Sequence, residues 1–132
     1  MDWSDRLGQL LVTRVRDRAL QDMRKMLDGS AKAPDLVVKL ANLRSLHGEE
    51  GVAGARLVLE EAVDHVLHHM MVLFDDEPNA LKLAVEADGE WIDAAAGSDG
   101  LAGELYSEDG WIHRFSQFPS SEAAGPAPAP PR

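Results

Sequence analysis

Cysteine is missing from all 132 residues, which excludes disulfides, thiolate metal sites, iron–sulfur clusters and cysteine nucleophiles together. Long apolar runs are missing too. The least interrupted, Val66 to Phe74, holds two histidines and is far shorter than the roughly 20 residues of a membrane-spanning helix. The opening Met1-Asp2-Trp3-Ser4-Asp5 is acidic where a secretory signal is basic. The expectation is a cytoplasmic protein that does not enter a membrane.

Basic residues are scarce in the back half. Net charge is −10, from 13 Lys/Arg and 23 Asp/Glu. Residues 1–45 hold 9 basic against 6 acidic side chains, whereas residues 46–132 hold 4 against 17. From Asp75 to Asp109 there are 11 carboxylates, opposed only by Lys82. Such a surface repels nucleic acid and attracts basic proteins.

Length fits one α+β domain, residues 1–118, in which three N-terminal helices pack on a small C-terminal antiparallel hairpin. The first helix, about 4–28, shows Leu7, Leu11, Val15, Ala19, Met23 and Met26 or Leu27 at three-to-four spacing. Ser4 suits its N-cap and Gly29 its left-handed end. Pro34 and Asp35 open a second helix, about 34–46, with Leu36, Leu40 and Leu43 as its stripe. A third, about 49–75, carries Val52, Ala55, Leu59, Val63, Val66, Met70 and Leu73 along one side. Leu57 and Met71 fall opposite, beside Asp64 and His68, so the helix has contacts to make on two faces.

After Pro78 the period becomes alternating. Leu81, Leu83 and Val85 point one way, Lys82 and Glu86 the other, and Asp88-Gly89 is a two-residue turn leading into Trp91-Ile92-Asp93-Ala94. The hairpin spans about 80–95. Residues 98–116 admit either a short helix after Ser98-Asp99-Gly100 or a third strand, with Trp111-Ile112-His113-Arg114-Phe115 returning to the core. Residues 119–132, rich in Pro and Ala, read as a flexible tail.

Catalytic signatures are few. Glu61, His65, His68 and His69 sit on one helix at spacings that allow nitrogen and oxygen metal ligands, but metal sites between helices usually draw ligands from two of them, so these are weak candidates and no cofactor is expected. No Gly-x-Ser-x-Gly elbow, calcium loop or phosphate loop is present. The basic first helix is interrupted by Asp17 and Asp22 and lacks interleaved aromatics, so it suits acidic parts of its own fold or of a symmetry mate better than DNA.

The segment from Gly97 through Leu105-Tyr106-Ser107-Glu108-Asp109-Gly110-Trp111-Ile112 resembles the close of small bacterial immunity proteins of polymorphic toxin systems, where helices lead into a hairpin and an acidic, tryptophan-bearing end. The likeness covers the last third of the chain. It implies a non-enzymatic inhibitor that neutralises a cytoplasmic toxin, a basic protein partner, through an acidic surface. On that reading the surface comprises Asp75, Asp76, Glu77, Asp88, Glu90, Asp93, Asp99, Glu104, Glu108 and Asp109, with Trp91, Tyr106 and Trp111 as anchors. Burial in the core is the ordinary place for Trp91 and Trp111. Two alternatives stand beside it: a homo-oligomeric scaffold or adaptor joined through Leu57, Met71 and the first helix, in which a homodimer is expected, and a small His/Glu metal-binding protein.

Overall fold

The computed structural model describes residues 2–30 and 32–119. It is an α+β fold, with helices first and a two-stranded antiparallel hairpin after them. Most of the expected tail, residues 120–132, lies outside the described residues.

Helix α1 (Trp3–Leu11) starts one residue earlier than expected, because Asp2 rather than Ser4 is its cap: the Asp5 amide donates to the Asp2 carboxylate at 2.8 Å. The winding then loosens over Val12–Arg16, where the Asp17 amide reaches back five residues to the Val12 carbonyl. Thr13 supplies a local cause. Its hydroxyl donates to the Gln9 carbonyl at 2.7 Å, competing with the backbone ladder. Helix α2 (Asp17–Lys25) continues the same rod, which ends in a second loosened turn at Gly29, φ 99°.

One residue added to the winding turns the rod. Its buried positions run Leu7, Val12, Arg16, Leu20 and Leu27, with a five-residue first step, rather than along the expected Leu7, Leu11, Val15, Ala19, Met23. Val15 is left 48 % exposed.

Helix α3 (Pro34–Asp76) joins the expected second and third helices across a break at Gly48. There φ is 66° and ψ −166°, a region open essentially to glycine alone. Among residues 34–63 none is fully buried. Farther on, the side facing the core is Asp64, Leu67 and Met71, not the expected apolar stripe, which leaves Val66 62 % exposed. The self-interface expected through Leu57 and Met71 is corrected here as well. Met71 is a core residue and offers nothing to a partner, whereas Leu57, on the same face of α3, is 52 % exposed.

The hairpin is shorter than expected: β1 (Ala84–Ala87) pairs with β2 (Glu90–Asp93), and Leu81 lies outside it, exposed. Asp88 and Gly89 both have positive φ, as a tight two-residue turn requires. The pairing Val85 with Ile92 faces the core, and Glu86 with Trp91 faces out. Residues 98–116 resolve as a single 3-10 turn, Ala102–Glu104, and helix α4 (Trp111–Phe115). The core lies between α1, the end of α3, the hairpin and α4, with Met71, Leu101, Leu105 and Trp111 at its centre.

Gly8 lets the Trp111 ring lie directly on α1, since a methyl placed there overlaps ring atoms Cγ and Cδ1. Gly8→Ala therefore lowers stability by about 1–3 kcal/mol in denaturant unfolding, despite alanine's better helix propensity. Gly54→Ala, on an open stretch of α3 with nothing near the new methyl, raises it by about 0.5–1 kcal/mol.

Candidate functional site

The acidic residues divide by the work they already do. Asp75 closes the end of α3 onto the following loop, its two oxygens accepting from the Leu101 and Ala102 amides at 3.0 and 3.3 Å. Asp93 pairs with Lys82 at 3.2 Å, and that hydrogen bond, helped by the Ala96 amide, holds its carboxyl below the usual carboxylate range. Glu104 accepts from the Ser98 hydroxyl at 3.5 Å and is half-buried. These three serve the fold. Asp76, Glu77, Asp88, Glu90, Asp99, Glu108 and Asp109 are exposed and make no ion pair among the described residues.

Chain geometry gathers them in part. The Asp75 hydrogen bonds bring Asp76 and Glu77 to the loop that carries Asp99 and Glu104. Asp88 lies in the hairpin turn and Glu90 directly after it, and Glu108 and Asp109 occupy the turn before α4.

The aromatic anchors separate sharply. Trp111 is 1 % exposed and belongs wholly to the core, so it offers no partner surface. Trp91, for which the core was the ordinary expectation, is 75 % exposed on the outer face of the hairpin. The register decides it. A two-residue turn at Asp88-Gly89 sets Trp91 across from Glu86, on the side away from Val85. Glu86 itself accepts from the Gly89 amide at 2.8 Å and reaches Arg6 at 3.7 Å. Tyr106 is turned to a different feature, donating its hydroxyl to the Asp64 carbonyl at 2.7 Å.

That feature is a cleft of about 250 Å³ lined by Glu61, Asp64, His65, His68 and Tyr106. His65 and His69 stack at 6.1 Å, and His68 meets His69 edge-on at 5.3 Å. Among the described residues, no group of three or more His, Asp or Glu side chains is placed to hold a metal ion. One helix spreads its ligands along its own axis, and the Asp64 carboxylate on the same helix is already engaged by Arg16.

Sequence reasoning missed that engagement. Arg16 is 1 % exposed, its Nε donating to Asp64 Oδ1 at 2.5 Å and its Nη2 to Oδ2 at 3.3 Å. Its Nη1 donates to Ser116 Oγ at 2.8 Å and to the Phe118 carbonyl at 2.7 Å, and lies 3.4 Å from Asp17 Oδ1. Asp17 in turn accepts from the Ser116 hydroxyl and the Gln117 amide at 2.7 and 2.8 Å. Ser116 Oγ also accepts from the Phe118 amide, so its hydrogen-bonding capacity is spent. The cluster is a clamp. The signal for it was three charged residues falling within otherwise apolar helix arcs, Arg16, Asp17 and Asp64.

Comparison of the chain with protein-family models, curated proteins and solved structures yields no match. No helix of the described residues is long and apolar enough to cross a membrane.

Asp64→Ala leaves a buried guanidinium with two of its five hydrogen bonds gone, and costs about 3–5 kcal/mol in chemical denaturation. Replacing both members, Arg16→Met with Asp64→Leu, recovers most of that loss. At the surface, Arg114 bonds Asp5 at 2.7 Å and holds its carboxyl below the ordinary range. A lowered folded pKa means the stabilisation is present above the unfolded value and disappears as pH falls through the folded one. Asp5→Asn thus lowers the melting temperature near neutrality and reduces its decline on acidification, in thermal melts taken across the acid range.

Proposed function

We propose that this protein is a non-enzymatic, immunity-type inhibitor that neutralises a basic cytoplasmic toxin, binding it through the acidic turns around the hairpin. The observation that carries the reading is Trp91: a large apolar ring, 75 % exposed, held across from Glu86 on a hairpin whose two-residue turn carries Asp88 and leads into Glu90. Exposed tryptophans at fixed positions are the side chains from which binding energy is most often drawn. The surrounding carboxylates accelerate encounter with a basic surface and reject nucleic acid. Proteins that act on nucleic acid present basic clefts, so a toxin of that kind is the partner this surface complements. Asp76, Glu77, Asp99, Glu108 and Asp109 extend the same sign of charge around the end of the molecule.

The full tagged chain, co-expressed with the product of any adjacent gene and captured from its native lysate, is expected to retain a basic protein that is toxic when expressed alone. Trp91→Ala weakens that complex by about 2 kcal/mol or more with the melting temperature unchanged. Asp88→Lys with Glu90→Lys slows association and reduces its salt dependence. Capture of no basic partner, or an affinity indifferent to Trp91, rejects the reading.

A further inference from the structure

One wall of the cleft between α3 and Tyr106 carries a polar atom that the fold leaves unmatched. His68 lines the cleft, and its Nδ1 is buried with no hydrogen-bond partner among the described residues. Such an atom is costly to bury and points to a partner the chain itself does not supply. The charge of the cleft is equally uneven. Asp64 is neutralised by Arg16, whereas Glu61 is exposed and makes no ion pair among the described residues. No Lys or Arg lines the opening. An uncompensated carboxylate there repels anions and favours a cation. Tyr106 adds an aromatic wall, its hydroxyl tied to the Asp64 carbonyl at 2.7 Å and its ring centred 5.7 Å from that of His68. Aromatic rings attract cations as well. The volume, about 250 Å³, falls below the roughly 300–1,000 Å³ of sites that take drug-sized ligands, so the occupant is small.

We propose that this cleft binds a guanidinium group carried on a short alkyl stem. A planar head with donors on several edges is what the three walls ask for together. One edge donates to the Glu61 carboxylate in charge-assisted hydrogen bonds, and the plane lies against the Tyr106 ring. Another N–H is donated to His68, in the tautomer whose Nδ1 is an acceptor, as the imidazole turns toward the occupant. A quaternary ammonium has no N–H to give, and a metal ion finds no set of three ligands here. The site is separate from the acidic hairpin, does not rest on the inhibitor reading and stands or falls apart from it.

Butylguanidinium, titrated into the full chain at about 0.15 M salt to screen the general surface charge, is expected to shift the NMR signals of His65, His68 and Tyr106 saturably. Butylurea, a neutral analogue of the same shape, and butyltrimethylammonium, charged but without N–H groups, bind about tenfold more weakly or worse. Glu61→Gln, at an exposed position with no partner to lose, weakens butylguanidinium binding by about tenfold with the melting temperature unchanged. His68→Phe also weakens it and leaves the chain no less stable, since it removes a nitrogen the fold does not satisfy. Asp88→Asn with Glu90→Gln, which discharges the hairpin, leaves binding as it was. A blocked Gly-Arg-Gly peptide separates the two sources of the group: binding equal to that of butylguanidinium assigns the cleft to an arginine side chain of another protein, and failure to bind assigns it to a free small molecule. Absence of saturable shifts with butylguanidinium overturns the proposal. So does equal binding of butylurea, or an affinity indifferent to Glu61→Gln.

Discussion

A guanidinium removed from water needs its partners in place, and Arg16 has them from two distant parts of the chain, Asp64 on α3 and the segment from Ser116 to Phe118. A buried ion pair of this kind adds little net stability over an apolar substitute, but it penalises every arrangement that leaves one member alone. Its effect here is on specificity. Rotation of the first rod, rotation of α3 and the path of Ser116 through Phe118 are tied to one another, because a change in any one strands a charge.

Both helices bear the mark of that constraint. The loosened winding at Val12–Arg16 places Arg16 and Asp17 inward. The matching turn of α3 places Asp64 inward, with Leu67 and Met71 one and two turns beyond on the same side. Each helix thereby moves its most regular apolar row off the core. The Val15 row and the Val66 row end up beside each other along an apolar groove, which is why two well-formed amphipathic patterns line a surface.

Elements governed by local backbone chemistry were legible in the sequence. Gly29, Pro34, the interruption at Gly48 and the Asp88-Gly89 turn each act through the φ range of one or two residues, and the structure uses all of them. The helix faces were not legible, because period alone shows that a face exists and cannot tell a core from a groove. The extra residue in the winding, set by Thr13, shifts the register without altering composition. Trp91 is an instructive case. Counting back from the two-residue turn sets it opposite Glu86, so its outward position followed from a pairing the sequence contained, against the general tendency of tryptophan to be buried. The acidic end was visible as a cluster, but not the division between carboxylates that hold loops, such as Asp75, and those left free.

The clamp joins residues far apart in the chain: Arg16 to Asp64 is a separation of 48, Asp17 to Ser116 of 99, and Arg16 to the Phe118 carbonyl of 102. Closure over such spans is slow compared with helix formation. During synthesis the first rod and α3 emerge well before residues 116–118, and in that interval Arg16 and Asp17 lack the partners that the last turns provide. Helices that form at once must therefore wait for residues 116–118 to be made. The native helix register becomes fully determined only when Ser116 to Phe118 have left the ribosome.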